Sequence, residues 1–457
     1  MILKKNNSKK KGKKSKKSNK RKKTKSNKTK FVGDAIINVN DVMDDKAKSD
    51  KAKSDDKDKS NKLCNIIYLD NINLSSLCPN AEKTYKKSIN NKLTPSEKCK
   101  IVKESKDYLL KTCNAGNGYS LFFTSGEIES NNIFLCSAVN AYKKIRKIKP
   151  HIVVSAVENA SVIKYANSLK DSGQVELTFI RPNIYGCILS EYIVSSLKPN
   201  TCCVLITYIN QELGSVNNIE KISKLLHEKK IPLHCDCTYL FGKHKLDLQK
   251  TNIDAATISF DKISGPVGLG AIIIKNDLLN GYKLYEHSST LENKRTENMP
   301  AIASAIESTK YSLANRKTKN IKLLKFRKEI IDKLSNKYQL MSYADFVNSD
   351  TPPLEESNKS KNILIVLGPP PNNDSYFTPS ILSIALITTK NKTGLEIQKE
   401  LEKKNIIIGV PDLESIHIYN EIKMPKEIQD HIIRISLSDS VSQQDISTFI
   451  TALQKII

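Results

Sequence analysis

Ala256-Thr257-Ile258-Ser259-Phe260-Asp261-Lys262-Ile263-Ser264-Gly265-Pro266-Val267-Gly268-Leu269-Gly270-Ala271-Ile272-Ile273-Ile274 contains two short apolar runs, Ala256–Phe260 and Ala271–Ile274, joined by a Gly-rich link. Runs that are apolar on successive residues predict strands covered on both faces. So short a link predicts that the two strands are antiparallel neighbours. The polar pair Asp261-Lys262 falls at the end of the first strand, which sets a titratable amine at the rim of a buried sheet.

Upstream the same pattern recurs. Apolar, β-branched runs at Asn65–Leu69, Leu121–Phe123, Ile152–Ser155, Glu176–Ile180, Cys203–Ile209 and Ile231–His234 alternate with segments of helical period, Ser130–Ile145, Val157–Ser172 and Ile219–Lys229. This alternation predicts an α/β domain with a mostly parallel central sheet, spanning residues 63–300. Downstream, a helical stretch at Ala301–Leu334 leads into strands Ile363–Leu367, Ile381–Thr388, Ile406–Val410 and Ile432–Leu437. Helices Gly394–Lys404 and Gln443–Ile456 complete a smaller C-terminal α+β domain, 301–457, and Thr351–Ser375 reads as loop at both of its proline-rich ends.

In open α/β sheets, ligands sit beyond the carboxyl ends of the parallel strands. Four features fall there: Thr124-Ser125-Gly126 opening a helix, Asn210, Asp236, and Lys262 twenty-six residues after Asp236. A hydroxyl-glycine turn at a helix N-terminus offers free N–H groups to a phosphate. A lysine near an aspartate on a neighbouring strand is the pairing that pyridoxal 5′-phosphate requires: the amine forms a Schiff base, and the carboxylate keeps the pyridine nitrogen protonated.

The chain resembles the NifS-like cysteine desulfurases of the class V aminotransferase family over nearly all of residues 66–457. The resemblance is carried by Tyr68-Leu69-Asp70-Asn71, Phe123-Thr124-Ser125-Gly126 through Asn132, His151 to Glu158, and Asn210-Gln211-Glu212-Leu213-Gly214. It continues in Ser259-Phe260-Asp261-Lys262 with Gly265-Pro266-Val267-Gly268, Thr296-Glu297-Asn298-Met299-Pro300 and Ile433-Arg434-Ile435-Ser436-Leu437. It implies a pyridoxal-phosphate-dependent transferase of fold type I, with Lys262 as the Schiff-base lysine and Asp236 as the partner of the ring nitrogen. By the same resemblance Asn210 contacts the ring hydroxyl, while Ser259 and the backbone at Gly126, Glu127 and Ile128 hold the phosphate. Thr296 then reaches the partner subunit's cofactor, which implies a homodimer, and Arg434 binds the carboxylate of an amino-acid substrate through its planar fork.

The departures from the family fall on the chemistry. Asn159 stands where the family stacks a histidine on the ring, and Tyr239 where it has a glutamine. Ile128 replaces the phosphate-turn threonine, with Glu127 before it, and Asp261 replaces the histidine before the lysine, so carboxylates face an anion site. The mobile-loop cysteine that carries sulfur as a persulfide is missing: the matching stretch is Gly409-Val410-Pro411-Asp412-Leu413-Glu414-Ser415. All ten cysteines precede Lys262, and a takeover by Cys235 or Cys237 competes with their reading as core residues. In these departures the chain resembles the NifS-like proteins of large DNA viruses. Two readings follow, a pyridoxal-phosphate enzyme acting as a transferase or lyase, and a catalytically degenerate relative with a structural or nucleic-acid-tethering role.

The charge of +26 over 457 residues lies mostly in a tail: residues 1–30 hold sixteen Lys/Arg and no acid, which leaves +11 for residues 63–457. Residues 1–62 read as a disordered basic tail followed by a mixed-charge linker. For residues 4–30 a nucleic-acid partner and compositional drift stand side by side. Neither a zinc-type cysteine spacing nor an apolar run of membrane length occurs, so no metal or membrane partner is expected. Reduced thiols point to the cytoplasm, with nucleus or virion as the alternative.

Overall fold

The computed structural model describes residues 66–73, 75–90, 92–282, 297–314, 316–349, 362–370 and 377–457. The tail and linker expected over 1–62, together with Asn65, Arg295, Thr296 and most of Thr351–Ser375, lie outside the described residues. The chain from Cys64 to Ile457 forms one unit.

A first strand, β1 (Ile67–Leu69), stands apart from the next seven. These are β2 (Tyr119–Thr124), β3 (His151–Ser155), β4 (Glu176–Ile180), β5 (Thr201–Thr207), β6 (Leu233–Asp236), β7 (Ala255–Ser259) and β8 (Gly270–Lys275). They make one sheet in the order β2-β8-β7-β6-β5-β3-β4. The pairs from β4 to β7 are parallel, and β8 runs antiparallel to both β7 and β2. Every residue of β3, β5, β6 and β7 is buried, so both faces are covered, as their continuous apolar runs require. One face packs on a core containing Val153, Val204, Cys235 and Ile258, the other on Phe134, Ile152, Leu205 and Ile272.

The C-terminal part adds β9 (Gln339–Ser342), β10 (Ile363–Val366), β11 (Ile381–Ile387), β12 (Ile406–Ile408) and β13 (Ile432–Ser436). Four of these form a sheet in the order β13-β11-β10-β9, while β12 pairs in parallel with β1, Ile67 opposite Ile406. Leu69 therefore belongs to the C-terminal core with Ile406, Ile408 and Ile435, and it ties the chain's first strand to its last elements.

Three differences from the sequence expectations have local causes. Asn159 Oδ1 accepts from Ser161 N (2.9 Å), so the helix Ala160–Asp171 starts after this cap rather than at Val157. The stretch 301–334 is two helices, Met299–Leu313 and Arg316–Ser335, because Ala314 is extended (ψ 124°) although no Gly or Pro marks the break. Helices Pro79–Ile89 and Pro95–Thr112, which the apolar period did not reveal, precede β2; the second opens with a Thr94–Glu97 capping box.

Candidate active site

Because β5, β6 and β7 run parallel, their carboxyl ends share one edge, and that edge brings Asn210, Asp236 and Lys262 together. Lys262 sits in a single 3₁₀ turn, Asp261–Ile263, held by Ile263 N→Phe260 O (3.1 Å) and Gly265 N→Phe260 O (2.9 Å). Only glycine fits at 265, since a Cβ there comes within 2.6 Å of Phe260 O. The turn buries Lys262 to 8 % exposure, with Nζ against Asp261 Oδ2 (2.8 Å) and Asn73 O (3.1 Å).

Asp236 is buried and accepts from Asn131 Nδ2 (2.8 Å) and Thr238 N (2.9 Å). Burial pushes its carboxyl above the usual range, while these bonds and the Lys262 charge pull it back. Beside it, Asn131 Oδ1 is buried with no hydrogen-bond partner among the described residues. Such an orphan costs about 1–3 kcal/mol unless a further group satisfies it. Glu158 is a second acid here, fully buried, its Oε1 accepting from Thr207 N (2.5 Å). Burial, and next the Asp236 charge, push Glu158 up to about 8, so it holds a proton at neutral pH. The side chain of Asn210 is fixed by the backbone: Nδ2 donates to Val157 O (3.0 Å), and Oδ1 accepts from Glu212 N and Leu213 N, both 2.9 Å. Tyr239 is buried, and the Lys243 ammonium lies 5.7 Å from its ring centroid.

The anion end is built differently. Gly126 caps the helix Glu127–Arg146 and faces open space where a Cβ would lie, and Gly270 lets β8 pass close by, since a Cβ there meets Gly126 Cα at 2.7 Å. That is a cradle at a helix N-terminus, but carboxylates already serve its donors. Ser125 N donates to Glu129 Oε2 (2.6 Å), and Ser259 Oγ to Asp261 Oδ1 (2.6 Å). Glu127 is half-buried, its carboxyl pushed up chiefly by burial and pulled back by Lys262, and Ile128 is exposed.

Arg434, on β13, is 3 % exposed and ion-paired to Glu212 Oε1 and to Asp70 Oδ1 (3.2 Å); Tyr419 OH donates to Glu212 Oε2 (2.9 Å). Among the described residues its Nε has no partner. Gly409 makes this packing feasible, because a Cβ there would lie 2.9 Å from Nη2 and 2.8 Å from Asp70 Oδ1. The stretch after it is pinned: Asp412 Oδ1 accepts from Glu414 N (2.9 Å) and Ser415 N (2.8 Å), Lys164 Nζ reaches Glu414 (2.7 Å), and His417 Nε2 bonds Glu158 O (3.0 Å). Cys235 and Cys237 are both fully buried in the core. Sequence reasoning missed Asn131, Thr238 and Glu129 as site residues, and the pairing of Arg434 with Asp70 and Glu212, although Asp70 and Glu212 stood within recognised motifs.

A seven-stranded sheet with a lysine and an aspartate at adjacent strand ends defines the class of protein. The aminotransferase class-V family model matches residues 81–311, half of the chain, and the chain belongs to that family, in its NifS-like branch. Among curated relatives, a cysteine desulfurase of Plasmodium falciparum is 36% identical over 38% of this chain and 32% of its own. The mitochondrial cysteine desulfurase of Saccharomyces cerevisiae is 33% identical over 38% and 34%. The chain thus spans about a third of the length of these relatives. A solved NifS-like protein superposes with a TM-score of 0.69 at 18% identity, covering 86% of this chain and 99% of that one, and a second from Rickettsia africae gives 0.68 at 20%, with the same coverage. These likenesses bear out the α/β fold expected from the sequence, fold type I with its mostly parallel sheet.

The cofactor of this family is pyridoxal 5′-phosphate. The residues present fit it at the ring end, where Lys262 and Asp236 meet and Asn131 Oδ1, beside Asp236, is without a partner among the described residues. At the phosphate end the open space over Gly126 fits, and the carboxylates of Glu127, Glu129 and Asp261 weaken it. Among the described residues no helix is long and apolar enough to cross a membrane, and no group of three or more His, Cys, Asp or Glu is placed to hold a metal.

Proposed function

We propose that this chain is a pyridoxal-phosphate protein of the cysteine desulfurase type in which Lys262 carries the cofactor and Asp236 holds its ring nitrogen. The supporting observation is the buried pair of strand ends, with Asn131 Oδ1 beside Asp236 unpartnered among the described residues. The bound cofactor supplies an electron sink for charge developing at the α-carbon of an amino acid. Around it, Glu158 keeps its proton on the carboxyl, which spares Asp236 a second buried negative charge beside it. Asn210 and Tyr239 bound the ring, Gly126 with Glu127, Ile128 and Ser259 frames the phosphate, and Asn159 replaces a stacking surface with a helix cap. Arg434 receives the substrate carboxylate by exchanging one of its two carboxylate partners. Thr296 completes the site across a homodimer, in an architecture of basic tail (1–62), large domain (63–300) and small domain (301–457).

Sulfur transfer by a persulfide is not part of this function. The 409–415 stretch carries no thiol, and Cys235 and Cys237 are buried. A transferase or C–S lyase acting on an amino acid remains. Full-length protein dialysed against pyridoxal phosphate is expected to keep a visible absorption band that L-cysteine perturbs, with persulfide formation on the chain absent or very slow. Robust persulfide formation contradicts the proposal.

The carboxylates at the Gly126 turn favour a second reading, a degenerate relative with a structural role, tethered to nucleic acid by residues 4–30. Failure to retain the cofactor at saturating concentration decides for it.

A further inference from the structure

On one flank of Lys262 lies a cavity of about 60 Å³, room for roughly two waters at ~30 Å³ each. Four cationic side chains line it, Lys243, Lys262, Arg316 and Lys319. Lys262 Nζ is paired with Asp261 Oδ2 (2.8 Å), and Lys319 Nζ with Asp439 Oδ2 (2.9 Å) and Tyr311 O (2.7 Å), so the excess of positive charge rests on Lys243 and Arg316. Arg316 Nη1 donates to His244 O (3.1 Å). Among the described residues Lys243 pairs with no carboxylate. Like charges crowded into a small, half-enclosed space repel one another, and an anion placed among them removes that cost. Burial, and next the charge of Lys262, pull the Lys243 ammonium down to about 8, as such crowding requires.

We infer that this cavity is a binding site for a small oxyanion group, a carboxylate or phosphate, held against the flank of Lys262. It is distinct from the expected cofactor-phosphate cradle, because neither Gly126 nor Ser259 lines it. The oxyanion site rests on its own geometry; only the further assignment of the anion to the second acidic group of an amino-acid substrate rests on the proposed function.

The test is calorimetric titration of full-length protein, without added cofactor, with inorganic phosphate at low ionic strength. Wild type is expected to bind, and Arg316→Gln/Lys319→Gln to bind about tenfold or more weakly. Ser438→Asp, which adds a carboxylate to the lining at a half-exposed position, is expected to weaken binding likewise and keeps the test decisive if the double variant does not fold. Unchanged affinity in a folded variant, or no phosphate binding by wild type, overturns the inference. Displacement of phosphate by L-aspartate but not L-alanine assigns the group to an amino acid, and displacement by neither assigns it to free phosphate; both support the site. Protein that binds phosphate here yet retains no pyridoxal phosphate leaves this inference standing while the proposed function fails. A retained cofactor band with phosphate affinity indifferent to the variants does the reverse.

Discussion

Asp236 and the Gly126 turn lie along the same sheet edge, yet they are furnished in opposite ways. Around Asp236 the chain leaves a polar atom waiting: Asn131 Oδ1 is buried and, among the described residues, unpartnered, and Glu158 is neutralised. Around Gly126 and Ser259 the donors that would meet a phosphate are taken by the chain's own carboxylates, Glu129 and Asp261. The contrast teaches that two parts of one sheet edge can be furnished independently. A strand end fixed by a fully buried sheet resists change, whereas a half-exposed turn accepts acids at little cost to the fold.

The first test lies outside that edge, at a buried ion cluster on β13 that the fold itself depends on. Arg434→Leu leaves Glu212 and Asp70 buried and unpaired, and is expected to cost about 3–5 kcal/mol in denaturant unfolding; a loss under about 1 kcal/mol would mean the pair is not formed. Asp236→Asn is next. It keeps the shape and removes the charge, and is expected to weaken cofactor retention about a hundredfold with little change in stability, since Thr238 N and Asn131 can still be met.

At the turn the sign reverses. Glu127→Gln with Asp261→Asn removes two acids from the phosphate end and is expected to tighten cofactor binding by about tenfold, measured by spectroscopic titration; weaker binding would show that Asp261 serves Lys262 instead. The remaining test concerns pH. Glu158 rises from 4.5 to about 8 on folding, so the folded chain holds a proton that the unfolded chain has lost between those values. Its contribution is full below pH 4.5 and disappears as pH rises through about 8. Thermal stability over that window is expected to fall more steeply in wild type than in Glu158→Gln, and parallel profiles contradict the assignment.

Much of the large sheet was legible because buried strands advertise themselves as unbroken apolar runs, and the order Gly126, Asn210, Asp236, Lys262 followed from strand ends. The helices Pro79–Ile89 and Pro95–Thr112 were not, since they bury few side chains, Ala81 in the first and Val102, Ser105 and Leu109 in the second, among lysines. The Thr94–Glu97 capping box was the signal available. Strand β9 pairs at the sheet edge with two of its four residues exposed, so no apolar run marks it. The cluster on Arg434 draws Asp70 and Glu212 from more than two hundred residues away. Nothing in local spacing encodes such a meeting.

The central claim is that Lys262 is the amine that carries the cofactor. Borohydride treatment of full-length protein equilibrated with pyridoxal phosphate fixes the cofactor to whichever amine holds it, and peptide mass mapping then identifies the residue. The account predicts the label on Lys262 and its disappearance in Lys262→Ala. Label spread over surface lysines, equally strong in that variant, would contradict it.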